Sequence, residues 1–175
     1  MSEYDPSWQF TRAITRRPAS SVTAGLRGVD IGTPDFDLML RHHAQYVEAL
    51  HEAGARVIEL DPLDDFPDGL FVEDTALCLP EGVVLMRPGA PTRLGEVAQI
   101  EPVLQDLFDK VARIDGPGTI EAGDILTTSR EVLVGQSLRT NSEGIAELAS
   151  ILSNWGHVLR CLLYTSPSPR DGRES

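Results

Sequence analysis

Two acidic segments that otherwise have the composition of β-strands constrain this chain more than any other feature. The first, residues 71–79, reads Phe-Val-Glu-Asp-Thr-Ala-Leu-Cys-Leu and lies between turn-forming triplets at 67–69 and 80–82. Its first half carries the adjacent carboxylates of Glu73 and Asp74. Acidic residues are depleted in strands, and a buried carboxylate is costly unless a cation or hydrogen-bond donors neutralise it. We therefore expect a functional site here, because functional sites are where sequences break local structural rules.

The second acidic segment, residues 119–126, indicates an internal repeat. In both copies a strand with a carboxylate is followed by a turn, a second apolar strand, an arginine and a helix. Repeats of this size are typical of units that cannot bury their hydrophobic faces alone and must stack or close around an axis. The first copy comprises Glu73, strand 83–86, Arg93 and helix 94–110, and the second comprises Glu121, strand 132–134, Arg139 and helix 142–154.

The chain before these copies predicts a strand at 13–18, a helix from 34–35 to about residue 52, and a strand at 55–60. The Ser/Gly-rich loop 19–32 between the first strand and the helix shows no periodicity, and loops of this length often cover a site. Leu26 lies in the middle of that loop. Two interpretations of Leu26 stay open: it packs onto the core, or it covers a site.

Length and charge limit the class of partner. At 175 residues with 41% hydrophobic residues, the chain is expected to form one domain with a core. The net charge of −12 argues against nucleic acid and anionic membranes and suits a small cationic substrate. Without a signal peptide or an apolar stretch of membrane-spanning length, a cytoplasmic protein is expected. A homodimer stays open.

The cysteines and histidines do not predict a site of their own. Cys78 and Cys161 make no disulfide framework, and Cys78, inside a predicted strand, is expected to be buried. The histidines of the first helix, at positions 42, 43 and 51, have no carboxylate or cysteine at metal-ligand spacing. We therefore expect neither a metal nor another cofactor.

The candidate site residues separate into an acidic and a basic set. Carboxylates match a planar guanidinium bidentately, and an arginine does the same for a carboxylate. A ligand with a guanidinium at one end and an α-carboxylate at the other fits both sets, and free arginine or a relative is the simplest such molecule. The alternative is that the two arginines pair with Glu73 and Glu121 as structural ion pairs. The acidic set is Asp68, Glu73, Asp74 and Glu121, and the basic set is Arg93 and Arg139.

Four ordered motifs, at 71–75, 89–96, 120–124 and 134–141, together resemble dimethylarginine dimethylaminohydrolase, within the arginine deiminase and amidinotransferase superfamily. The resemblance runs from about residue 13 to 160. It implies the pentein fold, an α/β propeller of five ββαβ modules around a central channel, of which this chain would hold roughly the first three. Residues 1–160 would then be a partial pentein domain.

The resemblance also implies roles for the candidate residues. The reaction would be attack of a cysteine thiolate on the guanidinium carbon of dimethylarginine or monomethylarginine, with loss of a methylamine protonated by a histidine. Water would then hydrolyse the thiouronium intermediate to citrulline, without metal or cofactor. Leu26 would belong to a lid; Asp68, Glu73 and Asp74 would hold the substituted guanidinium and amine; Arg93 and Arg139 would hold the α-carboxylate; and Glu121 would orient the histidine.

The chain departs from the family pattern after residue 160. The family's catalytic histidine should follow Arg139 by about one module, and its nucleophilic cysteine lies further on; neither is found. Residues 161–175, rich in Ser, Pro and Arg, are expected to be a non-native or disordered tail. His157 and Cys161 are four residues apart, but residues 158–159 predict a strand, which would not juxtapose them. We therefore expect an inactive fragment.

Three alternatives stay open. The first is a fragment of an arginine deiminase-like enzyme acting on unmethylated arginine. The second is a non-catalytic arginine-binding module, and the third is an acidic α/β domain whose charges form only ion pairs.

Overall fold

A computed structural model describes residues 10–29 and 32–162, which fold into short strands and three helices. No helix in these ranges is both long enough and apolar enough to cross a membrane. The strands are β1 (Arg12–Arg16), β2 (Arg56–Leu60), β3 (Ala76–Leu79), β4 (Gly82–Leu85), β5 (Val111–Arg113), β6 (Ile125–Thr127), β7 (Val132–Gly135) and β8 (Leu159–Leu162), and the helices are α1 (Phe36–Glu52), α2 (Glu96–Leu107) and α3 (Ser142–Asn154).

Three small sheets repeat one plan. In the second sheet β3 and β4 are antiparallel, whereas β4 and β5 are parallel with α2 as their crossover; β6, β7, α3 and β8 repeat this arrangement. In the first sheet β1 and β2 are parallel across α1, and β1 has no antiparallel neighbour among the described residues. The described chain thus holds two ββαβ units and one βαβ unit, which confirms the repeat and the mixed α/β fold. A closed propeller of five units stays a prediction.

Side-chain caps and a glycine set the ends of the helices. At the start of α1, Asp35 accepts the N–H of Leu38 at 2.9 Å. Gly54, with φ of 88°, follows the end of α1 in the left-handed conformation that favours glycine. Asn141 caps α3 by accepting the N–H of Gly144 at 2.9 Å. Both helices therefore lie where the sequence predicts them.

The core lies between the sheets, and α2 and α3 each fill one of these spaces. Strand β4 is buried on both faces, because Val83 and Leu85 belong to the apolar cluster of α2 and Val84 to that of α3. A strand that is covered on both faces carries apolar residues along its whole length, without the alternation of polar and apolar residues seen in half-exposed strands. This packing also brings the turns that precede β3 and β6 into contact with each other.

The two acidic segments form 3₁₀ turns followed by short strands, so the prediction that their carboxylates lie on strands is wrong. Val72–Thr75 is a 3₁₀ turn, and β3 begins only at Ala76. Ala122–Asp124 forms the corresponding turn before β6. A turn carries the charges beyond the hydrogen-bonded ladder, where arginines and N–H groups reach them. Only the second half of each segment therefore forms a strand.

Other differences from the predicted elements occur at their ends. Helix α2 is shorter than the range 94–110: it begins at Glu96, after a separate 3₁₀ turn at Pro91–Arg93, and ends at Leu107, because the backbone is extended at Phe108. The sequence pattern does not predict β5, which is only three residues long. Strand β8 extends through Leu162, two residues past the expected domain boundary. Residues 163–175 of the expected tail lie outside the described residues.

Cys78 is exposed, so the expectation that it is buried is wrong. Its neighbours Leu77 and Leu79 point into the core, with exposed fractions of 7% and 4%. Because side chains alternate along a strand, Cys78 points to the opposite face. That face borders a groove whose opposite side includes Arg12 and Ile14 of β1.

We expect Leu148→Ala in α3 to lower the free energy of unfolding by about 2–5 kcal/mol, because truncating a fully buried leucine removes apolar contacts and leaves a cavity. The measurement is urea unfolding followed by circular dichroism. Leu138→Ala is the matched control, because the Leu138 side chain is fully exposed and its loss should change stability by less than about 0.5 kcal/mol. Equal losses in both variants would contradict this description of the core.

Candidate active site

One open cleft of about 610 Å³ brings together every residue predicted for the site. The acidic and basic sets converge there from the connections that precede β3, α2, β6 and α3. No histidine or cysteine lines this cleft among the described residues. The predicted residues in its wall are Leu26, Asp68, Glu73, Asp74, Arg93, Glu121 and Arg139.

Asp68 ties the loop of Leu26 to the cleft. Both carboxylate oxygens of Asp68 accept the backbone N–H of Leu26, at 3.1 and 3.2 Å. A Cβ at Gly25 would lie 2.8 Å from Oδ1 of Asp68, so a side chain there would have to displace the Asp68 carboxylate. The side chain of Leu26 is 62% exposed and borders the cleft. The interpretation that Leu26 packs onto the core is therefore wrong.

Arg93 is buried and donates to the acidic wall of the cleft. Its NH1 group donates to Oδ2 of Asp74 at 2.6 Å, and its NH2 group donates to Glu96 at 2.7 Å and to the carbonyl of Phe71 at 3.1 Å. Burial alone would lower the pKa of Arg93, but the hydrogen bonds that it donates to Glu96 and Asp74 outweigh burial and raise that pKa. Arg93 therefore stays charged, and its partner is Asp74 rather than the Glu73 that the ion-pair alternative proposes.

Glu73 remains available in the cleft. Its side chain is exposed, and it forms no ion pair with any described residue. Asp74, the next residue, is buried, and its Oδ1 lies so close to Gly123 that a Cβ there would be 2.3 Å from it. The acidic side of the cleft thus combines one solvated carboxylate with one that is held in place.

Glu121 is fully buried and incompletely paired. Its Oε1 accepts the N–H of Gly89 at 3.3 Å, whereas its Oε2 has no hydrogen-bond partner and lies 3.3 Å from NH1 of Arg139. Burial raises the pKa of Glu121, although Arg139 opposes the shift. This ion pair is the one that the spacing of the second copy predicts.

Asp124 fixes the loop that carries Arg139. Its Oδ2 accepts the hydroxyls of Ser137 at 2.7 Å and Thr140 at 2.6 Å, and its Oδ1 lies 3.5 Å from NH2 of Arg139. The hydroxyl oxygen of Thr140 in turn accepts the N–H of Glu121 at 3.1 Å. Arg139 is about half exposed, with 53% of its side chain accessible, and faces the cleft as its solvated cation.

Sequence reasoning misses two residues of this network, Glu96 and Asp124. The available signal is the spacing: each lies three residues after a predicted site residue, Arg93 or Glu121. Nothing in a single sequence separates such carboxylates from solvated ones, because the distinction is burial. Among the described residues, no group of three or more His, Cys, Asp or Glu is arranged to hold a metal ion.

His157 lies outside the cleft. Its Nε2 is 2.9 Å from Oε2 of Glu81, in the turn between β3 and β4. Cys161 is exposed on β8, which confirms that this region is a strand and that the two residues do not share a helical face. The pair therefore contributes nothing to the predicted site.

The repeated ββαβ units with charged turns around a common cleft define an α/β protein of the pentein type. The model of the arginine deiminase family matches residues 39–167. The chain belongs to that family, as a relative of dimethylarginine dimethylaminohydrolase within the pentein superfamily. By family it stands among hydrolases that act on the C–N bonds of linear amidines.

Relatives with that name come from two bacteria. The N(G),N(G)-dimethylarginine dimethylaminohydrolase of Pseudomonas aeruginosa is 40% identical over 148 residues, which are 84% of this chain and 58% of that protein. The enzyme of the same name from Streptomyces coelicolor is 35% identical over 83% of this chain and 57% of its own length. The chain thus spans less than two thirds of the length of these relatives.

Solved structures agree with the fold. A dimethylarginine dimethylaminohydrolase adduct with S-methyl-L-thiocitrulline superposes with a TM-score of 0.88 at 37% identity, covering 91% of this chain and 63% of that one. The N-terminal domain of a cyanobacterial arginine dihydrolase superposes with a TM-score of 0.76 at 20% identity, covering 87% of this chain and 58% of that one. At that identity the second likeness shows the fold alone.

We expect Glu121→Gln to stabilise the protein at pH 7–8 by about 1 kcal/mol, the usual scale for a buried polar group without a hydrogen bond. A raised carboxyl pKa contributes stability that is fully present below the unfolded pKa of about 4.3 and is lost as the pH rises through the folded value. Glutamine does not ionise and loses no stability in this way. The variant should therefore melt at a higher temperature than the unaltered chain at pH 7–8, and the difference should vanish near pH 4.

Glu143→Gln is the matched control, because it removes the same charge from an exposed position at the start of α3. Its effect on the melting temperature should be small and should not follow this pH dependence. If Glu121→Gln destabilises the protein at pH 7–8, the ionised Glu121 carboxylate is not a destabilising buried charge.

Proposed function

We propose that the cleft binds a guanidino amino acid through both of its charged ends, and that the reaction it serves is hydrolysis of dimethylarginine or monomethylarginine to citrulline and a methylamine. The observation that carries this proposal is that one cleft is lined both by a carboxylate without an ion pair among the described residues, Glu73, and by a half-exposed guanidinium, Arg139. Family membership supports the same reaction class.

The acidic part of the cleft suits a planar cation. Glu73 is exposed and unpaired among the described residues, so it would accept two N–H groups of a guanidinium without first breaking an ion pair. Asp74 accepts a hydrogen bond from NH1 of Arg93 at 2.6 Å, which holds its carboxylate in place. Asp68 would receive the α-amino group beside the Leu26 loop, because its two oxygens share a single N–H of that loop and can each accept a further hydrogen bond.

The basic part of the cleft suits a carboxylate. Arg139 is about half exposed, and its distances of 3.3 and 3.5 Å to Glu121 and Asp124 leave its donors free to turn towards a ligand. Arg93 is only 5% exposed and would contribute through the hydrogen of NH1 that Asp74 does not use. Arg139 is therefore the main contact of the ligand carboxylate in this proposal.

The chemical step in this proposal is nucleophilic. A cysteine thiolate attacks the guanidinium carbon, the C–N bond to the methylated nitrogen breaks as a histidine protonates the leaving amine, and water hydrolyses the resulting thiouronium. Oε2 of Glu121, which has no hydrogen bond, is suited to accept the ring N–H of that histidine. Because no described residue of the cleft is a cysteine or histidine, the proposal assigns both to sequence outside the described residues, and this chain to a fragment of the enzyme.

Two solved relatives are consistent with these roles. One carries a histidine-to-glycine substitution and holds an S-methyl-L-thiocitrulline adduct, and the other carries a cysteine-to-serine substitution and holds citrulline. The second candidate function is an arginine-binding module without turnover, and the same absence of a lining cysteine and histidine favours it. An arginine deiminase-like activity would act on unmethylated arginine and release ammonia in place of a methylamine.

We expect this chain to bind dimethyl-L-arginine, and Glu73→Gln and Arg139→Ala each to weaken that binding by about tenfold or more, because each removes one charge-assisted contact. Isothermal titration calorimetry with dimethyl-L-arginine and with L-arginine measures both affinities and shows which ligand the cleft prefers. Arg160→Ala is the control, because Arg160 is exposed and pairs with Glu131 away from the cleft.

Absence of binding and release of citrulline would each exclude an interpretation. Absence of binding by the unaltered chain, or unchanged affinity in both variants, would leave only the structural ion-pair interpretation. Binding without citrulline release is the expected result for this polypeptide. Citrulline release by it would overturn the assignment of the nucleophile to sequence outside the described residues.

A further inference from the structure

Glu96 is a buried carboxylate for which the proposed reaction has no direct use. It is the first residue of α2, is 3% exposed, and follows Arg93 by three positions. A carboxylate in such a place is costly unless its partners are well arranged. Its position makes Glu96 the strongest candidate for a further functional residue next to the cleft.

Glu96 accepts hydrogen bonds from one edge of the Arg93 guanidinium. The Nε–H of Arg93 lies between both oxygens of Glu96, at 3.1 Å from each, and NH2 donates to Oε2 at 2.7 Å. NH2 also donates to the carbonyls of Phe71 at 3.1 Å and Asp68 at 3.4 Å. Because a guanidinium is planar, fixing the Nε and NH2 edge also fixes the direction of NH1. NH1 then points at Asp74, which borders the cleft.

Arg16 lies on the other side of this pair. It ends β1, is 5% exposed, donates NH1 to the carbonyl of Asp61 at 2.8 Å, and interacts electrostatically with Glu96. Buried charges of alternating sign therefore run from the first unit to the cleft. The Glu96 carboxylate is hydrogen-bonded only to Arg93 among the described residues, and Arg16 adds a second positive charge to its surroundings.

We propose that Glu96 is a positioning residue: it orients Arg93 so that Arg93 holds Asp74 in place for the cationic end of the ligand. This inference rests on the proposed function, because it assumes that the ligand carries a guanidinium. The side-chain length of Glu96 is essential to the proposal. An aspartate keeps the charge but is shorter by one carbon–carbon bond of about 1.5 Å, so it cannot contact both Nε and NH2 from the same backbone position.

The test compares Glu96→Asp with Glu101→Asp. Glu101 lies on the same helix and pairs with Arg113 at 2.5 Å, so its substitution shortens an ion-paired glutamate that does not border the cleft. The ligands are dimethyl-L-arginine and L-citrulline, which share the α-amino and α-carboxylate groups, while only the first is a cation at its side-chain end. Calorimetry gives the ratio of the two affinities for each variant.

We expect Glu96→Asp to weaken dimethylarginine binding by about tenfold and citrulline binding by no more than about threefold, because both ligands can use Arg93 for the carboxylate but only the guanidinium also depends on Asp74. Glu101→Asp should leave both affinities and their ratio unchanged. Glu96→Gln, which keeps the length but has a single accepting oxygen, should lose the preference for the cation in the same way. It serves as the second variant if the aspartate does not fold.

The hydrogen-exchange rate of the Arg93 Nε–H, followed in ¹⁵N NMR spectra, gives a measurement that does not depend on ligand binding. In the unaltered chain its hydrogen exchange should be slow, and in Glu96→Asp at least about tenfold faster, because the paired contact is lost. If the unaltered chain binds no guanidino ligand, the proposed function fails while this exchange still decides the role of Glu96. The positioning role would be overturned if Glu96→Asp weakened the binding of both ligands equally or left both affinities unchanged. It would also be overturned if the hydrogen exchange of the Arg93 Nε–H did not change.

Discussion

Neutralisation of carboxylates by two arginines is the interaction on which this site depends. Asp74 and Glu96 are buried beside Arg93, and Glu121 is buried beside Arg139. Without these cations, each buried carboxylate would have to take up a proton or leave the protein interior. The cleft can therefore hold several acidic groups close together and still leave Glu73 unpaired, because its neighbours are already compensated.

The repeat explains how these charges meet. Each ββαβ unit places a 3₁₀ turn before its first strand and an arginine before its helix, and helix packing between the sheets brings the turns of neighbouring units together. The acidic turns lie beyond the strands, so the core of buried valine and leucine side chains stays free of charge. Apolar packing therefore determines the distance between groups that are far apart in the chain.

Prediction from the sequence succeeds where a pattern is local. Helices α1 and α3 are predicted from the local sequence, and the structure adds side-chain caps at Asp35 and Asn141, which act within one turn of the helix. It fails for the 3₁₀ turns, since a strand-like composition beside a charge does not reveal where the hydrogen-bonded ladder begins. It also fails for Cys78, whose face of β3 depends on how the neighbouring units pack.

The sequence by itself determined the repeated unit, the family and seven of the residues that line the cleft, because these depend on residue identity and spacing. Only the tertiary structure decided which charges pair. It joined Arg93 to Asp74 and Glu96 rather than to Glu73, and it made Asp124 the anchor of the Arg139 loop. The physical reason is that the strength of an ion pair depends on burial and on distances across the fold, and neither quantity is encoded in the order of residues over a short stretch.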